Sequence, residues 1–144
     1  MTRSKSEIYL HFNTATHRRL PLIAAEFEAD LYAVMTEQAA YLGCQTLAIG
    51  GVSDHIHLVL KVPCKRAPSD LMQHIKGASS AWARRTLRPL APLSAEAFGW
   101  QDNFAAFSLS RSHLKLAIAY VENQKTHHTV GDLRPEWEKS DEEV

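Results

Sequence analysis

Two cysteines in 144 residues, Cys44 and Cys64, are too few and too far apart for a disulfide scaffold. They read as packing thiols of a protein kept in a reducing compartment, and a cytoplasmic location is expected. Long apolar runs are missing as well. Nothing approaches the about 18 residues that a membrane-spanning helix needs, so no membrane partner is expected. The charged start (Arg3, Lys5, Glu7) is not followed by a 7–15-residue apolar segment, which speaks against a secretory leader. There is no internal repeat and no low-complexity linker. Net charge is also absent, with 16 Lys and Arg against 16 Asp and Glu. That excludes a protein that grips nucleic acid by bulk charge alone.

What is present is a polarised distribution of that charge. Between Lys61 and Lys125 stand ten basic residues against four acids. The remaining acids gather in the first helical segment (Glu26, Glu28, Asp30, Glu37) and near the end of the chain. One basic face for a polyanion fits this pattern, and so does a solvated surface.

Hydrophobic periodicity orders the elements. Ile8 to Thr14 reads as a strand. Leu22 to Leu42 reads as a helix with Ile23, Phe27, Leu31, Val34, Met35 and Ala39 facing a core, closed by Gly43. Gln45 to Gly50 and Ile56 to Val62 read as a hairpin turned at Gly51 to Asp54, with Gly51 available for positive φ. Pro68 opens a second helix to about Leu87, and Arg88 to Gly99 is a loop. Phe104 to Leu109 is a fourth strand, and Ser110 caps a third helix to about His127. The order is that of a ferredoxin-like β-α-β-β-α-β antiparallel α+β sheet with an added C-terminal helix, strands one and three being central. Residues 1–130 are expected to form one domain, and 131–144 a polar acidic tail, frayed but for a docking role of Trp137.

The stretch Gly50-Gly51-Val52-Ser53-Asp54-His55-Ile56-His57-Leu58 carries the chemistry. Side chains alternate along a strand, so His55 and His57 share a face. Two imidazoles on a rigid strand make half of a metal site. On the third helix Tyr120 and Gln124 are four residues apart and share a face. A tyrosine can act as a covalent nucleophile when its weak basicity is assisted, and Gln124 can offer a neutral oxygen ligand. Asp54 reads equally as a turn residue or as a group orienting an imidazole. His127 and His128 read as a helix C-terminal pair facing the macrodipole. Trp82 and Trp100 read as core residues, with base stacking as the alternative.

These pieces resemble the one-tyrosine HUH transposases of small insertion sequences and the related transposases associated with repetitive extragenic palindromes. The resemblance rests on Gly50-Gly51-Val52 before Asp54-His55-Ile56-His57-Leu58, Lys76-Gly77-Ala78-Ser79-Ser80, Phe98-Gly99-Trp100-Gln101 and Tyr120-Val121-Glu122-Asn123-Gln124, in order across Ile8 to His128. It implies that Tyr120 is the nucleophile and that His55, His57 and Gln124 hold a divalent metal, Mg²⁺ or Mn²⁺. It implies attack on a phosphodiester of single-stranded DNA, a 5′-phosphotyrosine intermediate, recognition of DNA hairpins, and a homodimer that can share its active sites.

Arg18, Arg19, Lys76, Arg84, Arg85, Arg111 and Lys115 are the candidate phosphate contacts. Two further classes stay open. One is a domesticated, non-catalytic binder of structured DNA or RNA. The other is a metal-dependent phosphodiester hydrolase that uses water.

Overall fold

The computed structural model describes residues 4–131 and 133–138. Strands β1 (Ile8–Ala15), β2 (Gln45–Val52), β3 (His55–Val62) and β4 (Ala105–Leu109) form one antiparallel sheet in the order β2-β3-β1-β4. The expected ferredoxin-like arrangement is what is found, with the His-bearing strand and β1 at the centre.

Strand alternation divides β3 between two cores. Ile56, Leu58, Leu60 and Val62 face α1 (Ala25–Tyr41) and α2 (Pro68–Leu87), with Phe12 from β1 and Leu31, Met35, Leu71 and Ile75 from the helices. Val59 faces the opposite side. There a smaller cluster joins Ala48 to Ala117, Tyr120 and Val121 of α4 (Leu114–Glu122) and to Trp137 of α6 (Pro135–Glu138). His55 and His57 are in phase with Val59, so they point into this second layer. Both tryptophans of the middle segment serve the first core: Trp82 stacks on Phe27, and Trp100 Nε1–H donates to Ser79 Oγ at 3.0 Å. Cys44 is buried and Cys64 exposed, both as free thiols. No helix among the described residues is long and apolar enough to cross a membrane.

Several boundaries differ from the sequence reading, each for a local reason. The first helix begins at Ala25, because Ile23 is held extended by its N–H donating to the Ser53 carbonyl. The hairpin turns on Ser53 and Asp54, neither at positive φ, so Gly51 lies within β2 and needs no left-handed conformation. Gly43, at φ +89°, does end α1 as expected. The loop after Arg88 contains a short helix, α3 (Pro92–Ala97), started by a proline in its first turn.

The third helix is not continuous. A 3-10 turn (Arg111–His113) precedes α4, and Ser110 makes no side-chain cap to its backbone; its hydroxyl meets His113 Nδ1 instead. Asn123 then breaks α4 from α5 (Gln124–Val130), its amide donating to the Ala119 carbonyl at 2.7 Å. Side-chain amides that compete for backbone carbonyls favour such breaks.

The close approach of α4 to the sheet depends on Gly50. A Cβ there would lie 2.1 Å from the Val121 carbonyl oxygen. Gly50 pairs with His57 across the β2–β3 ladder, so the missing side chain is what lets the helix end settle beside that imidazole. We expect Gly50→Ala to push α4 outward and to lower stability by about 1–3 kcal/mol. Urea denaturation checks this; an unchanged midpoint would mean that the helix end moves freely.

Candidate active site

The site is built on three adjacent strands. Asn13 and Gly50 flank His57, and Ala15 and Val52 flank His55. Small neighbours leave room for the imidazoles, and both rings are buried, with centroids 5.1 Å apart. Asp54 orients one of them: its Oδ1 lies 2.8 Å from His55 Nδ1. Of the two readings of Asp54, the orienting role is realised, and the residue closes the turn as well. His57 Nδ1 lies 2.8 Å from Nε2 of His11, a fully buried residue of β1.

The opposite nitrogens of the pair converge on Glu138. His57 Nε2 is 3.0 Å from Glu138 Oε2, and His55 Nε2 is 3.4 Å from the same oxygen. The ligand atoms of His55, His57 and Glu138 all lie within 4.8 Å of one another, a grouping that can hold a metal ion. The other carboxylate oxygen, Oε1, accepts the Tyr120 O–H at 2.8 Å. Tyr120 Oη in turn accepts the Arg134 backbone N–H at 3.1 Å. The Tyr120 ring stands edge-on to His57, is stacked by His127 at 4.6 Å, and touches Trp137.

Burial and hydrogen bonding divide the charge. Burial alone would push His55 down, but the Asp54 and Glu138 carboxylates outweigh it and raise its pKa. His57 and His128 are lowered, chiefly by burial, and His11 falls to about 3. Burial would raise Glu138, yet the imidazoles of His55 and His57 against it hold it well below the usual carboxylate range. Tyr120 is pushed up to about 12, first by burial and then by the Glu138 carboxylate, against the lowering effect of the Arg134 N–H. Tyr120 is therefore a protonated phenol with a carboxylate at its hydrogen.

Gln124 is buried. Its Nε2 donates to the Tyr120 carbonyl at 3.2 Å, and its Oε1 lies 3.1 Å from His128 Nε2. His128 reaches Glu138 Oε1 at 3.3 Å, so Gln124 joins the cluster through an imidazole. His127 and His128 thus line the site rather than merely ending a helix, because the break at Asn123 turns α5 back over the sheet. Of the expected acidic tail, residues 133–138 are described and pack on the site, while 132 and 139–144 lie outside the described residues. Trp137 is buried against His11 and Tyr120, and its carbonyl accepts from Asn13 Nδ2 at 3.2 Å.

The basic candidates fall in separate places. Arg18 and Arg19 are both at φ 56°; Arg19 rims the site, its Nη1 3.8 Å from Asp54 Oδ1, and Arg18 is exposed beside it in the chain. Lys76 and Arg84 donate to the carbonyls of Asp102, Asn103 and Phe98 and line a cavity of about 640 Å³ between α2 and the 96–104 segment. Arg111 pairs with Glu7. Arg85 and Lys115 are exposed.

Sequence reasoning missed Glu138 and His11. A signal existed for each. His11 and Asn13 are polar residues two apart in an apolar strand, and Pro135-Glu136-Trp137-Glu138 places a lone aromatic beside acids at a proline-started turn.

An antiparallel α+β sheet that presents paired imidazoles to a helix-borne tyrosine places the chain in the class of one-tyrosine transposases. Residues 4–124 match the family model of IS200-like transposases, and the chain belongs to that family. It is similar to the ISDra2 transposase TnpA of Deinococcus radiodurans, with 23% identity over 130 residues that cover 86% of this chain and 91% of that protein. Its fold is similar to that of a transposase structure from Deinococcus radiodurans, with a TM-score of 0.67 and 20% identity, covering 86% of this chain and 98% of that one. It is also similar to a REP-associated tyrosine transposase solved bound to a REP hairpin, with a TM-score of 0.61 and 14% identity, over 92% of this chain and 76% of that one. The resemblance read from the motifs and the fold class read from the periodicity both stand.

Removing the charge from Glu138 should release Tyr120. In Glu138→Gln the Tyr120 pKa falls from about 12 toward the ordinary tyrosine value, since the carboxylate is one of the causes that raise it. Titration of ¹³C-tyrosine-labelled protein by NMR measures this, with Tyr120→Phe assigning the resonance.

Proposed function

We propose that this transposase is a metal-dependent single-strand DNA endonuclease and strand transferase with Tyr120 as its nucleophile. One observation carries the reading: the Glu138 carboxylate has one oxygen toward both imidazoles and the other on the Tyr120 hydroxyl. Nucleophile and metal-ligand face are thereby held at a single point.

The residues suit a divalent cation. His55 Nε2 is buried without a hydrogen-bond partner and aims at Glu138 Oε2, which is what an imidazole awaiting an ion would present. His55, His57 and Glu138 would hold the ion, with the Gln124 carbonyl oxygen as the further ligand that the family resemblance implies. Imidazole with oxygen donors suits Mn²⁺, and phosphate chemistry suits Mg²⁺ or Mn²⁺. When bound, the ion supplies charge that polarises the attacked phosphate.

Tyr120 Oη forms a bond to phosphorus as the bond from phosphorus to the 3′ oxygen breaks. The products are a 5′-phosphotyrosine and a 3′-hydroxyl; the phenolic hydrogen passes to Glu138 Oε1, and the departing 3′ oxygen takes a hydrogen from solvent. Reversal of the same step rejoins a strand, so no nucleotide cofactor is needed. Arg134 donates its backbone N–H to Tyr120 Oη and steadies it. Arg19, at the rim, and its neighbour Arg18 meet DNA phosphates in this reading as the strand enters. The substrate we infer is single-stranded DNA with a hairpin. Lys76, Arg84, Arg85, Arg111 and Lys115 serve as further phosphate contacts, and the active form is a homodimer. Residues 1–130 make up the catalytic domain in this reading, with the following acidic segment contributing Glu138.

Incubated with Mn²⁺ and a labelled hairpin from its own flanking DNA, the protein should give a covalent band on a denaturing gel. Chelator and Tyr120→Phe should each remove the band. Hairpin binding that survives both, without any adduct, would replace this reading with the non-catalytic binder. Cleaved ends free of protein would favour a water-using hydrolase.

A further inference from the structure

His11 is the one imidazole of the cluster that neither touches Glu138 nor sits on the tyrosine. It is fully buried in the centre of β1 and packed by Phe107 and Trp137. Its only polar contact among the described residues is the 2.8 Å hydrogen bond from its Nε2 to His57 Nδ1. Its own Nδ1 is buried without a partner. Polar groups buried at such cost are retained where they hold another group in place.

We propose that His11 is a positioning residue that gives His57 Nδ1 a hydrogen-bond partner in either of its hydrogen arrangements, and so lets His57 turn its Nε2 lone pair to a metal ion. This rests on the metal reading given above.

The reasoning follows from donors and acceptors. An ionised carboxylate only accepts. With no cation between them, the 3.0 Å contact of His57 Nε2 to Glu138 Oε2 requires a hydrogen on Nε2. Neutral His57 then has a bare Nδ1, and His11 Nε2 must donate to it. A cation on His57 Nε2 needs that lone pair free. The ring hydrogen then sits on Nδ1, and His11 Nε2 must accept. One nitrogen of His11 serves both states, because a neutral imidazole carries its hydrogen on either nitrogen.

The hydrogens balance across the change. The one on His57 Nε2 leaves to solvent, the shared one crosses the 2.8 Å bond to His57 Nδ1, and one from solvent reaches His11 Nδ1. That last N–H has no partner among the described residues, so the empty site favours the Nε2–H form of His57. Lysine or arginine at position 11 can only donate, and a carboxylate can only accept. A glutamine amide can turn over and do either.

The test compares full-length wild type, His11→Phe and His11→Gln. ¹⁵N-histidine NMR of metal-free protein reads the His57 tautomer, and Mn²⁺ titration followed by EPR reads affinity. Wild type should show a single Nε2–H form. His11→Phe, which fills the space without a hydrogen bond, should keep the Nε2–H form that Glu138 requires and lose about 10–100-fold in Mn²⁺ affinity, because a hydrogen on His57 Nδ1 then has no acceptor, while His11→Gln stays within about threefold of wild type. Unchanged Mn²⁺ affinity in His11→Phe would overturn the proposal. If that variant does not fold, a folded His11→Gln that binds as poorly as His57→Ala overturns it equally. A wild type that ignores Mn²⁺ would sink the metal reading, and a His57 Nδ1 resonance that moves in His11→Phe but not in His11→Gln would leave the hydrogen bond from His11 standing.

Discussion

His57 sits where two strand registers cross. On one side it lies opposite Asn13, on the other opposite Gly50, and everything else at the site is arranged from that point. Gly50 lets the Val121 carbonyl close on the sheet, which brings Tyr120 edge-on to the imidazole. The alternation of β1 puts His11 and Asn13 on the same face, so one takes His57 Nδ1 and the other takes the Trp137 carbonyl. A shift of one residue in either ladder would turn the imidazoles into the apolar core and expose Ile56 and Leu58. Because that core is well filled, the register is held by hydrophobic packing on the far face, and the polar site inherits its geometry from it.

A cluster of buried imidazoles is costly unless its nitrogens are matched, since an unsatisfied buried donor or acceptor costs about 1–3 kcal/mol. Here the matching runs through one carboxylate. Glu138 receives His55, His57, His128 and Tyr120, and its own charge is held in place by those contacts. Among the described residues two buried nitrogens make no hydrogen bond, His11 Nδ1 and His55 Nε2; they lie on either side of His57, where the proposed metal chemistry and its tuning would act. Stability has been set aside at that point for function.

Much of this was legible in the chain. The His-x-His pair followed by an apolar run, the Tyr and Gln one helical turn apart, and the alternation that makes β1 and β3 central are all short-range patterns. They led to the family that the match over residues 4–124 establishes. What escaped was of another kind. Glu138 lies 81 residues beyond His57 and in a stretch whose acidity reads as solvated tail. The break falls at Asn123, whose side-chain amide and backbone N–H both bond the Ala119 carbonyl, a local arrangement that periodicity does not register, and beyond it His128 reaches Glu138.

The sequence alone therefore determined the ferredoxin-like layout, the paired imidazoles on one face of a central strand, and the tyrosine on a helix. Each of these follows from periodicities of two and 3.6 acting within a few residues. Only the tertiary structure decided which groups meet. The convergence of His11, Glu138 and His128 on the pair depends on strand pairing, on a glycine-permitted helix approach and on a docked Trp137. Those are contacts between distant segments, and local pattern carries no information about them until the chain has closed.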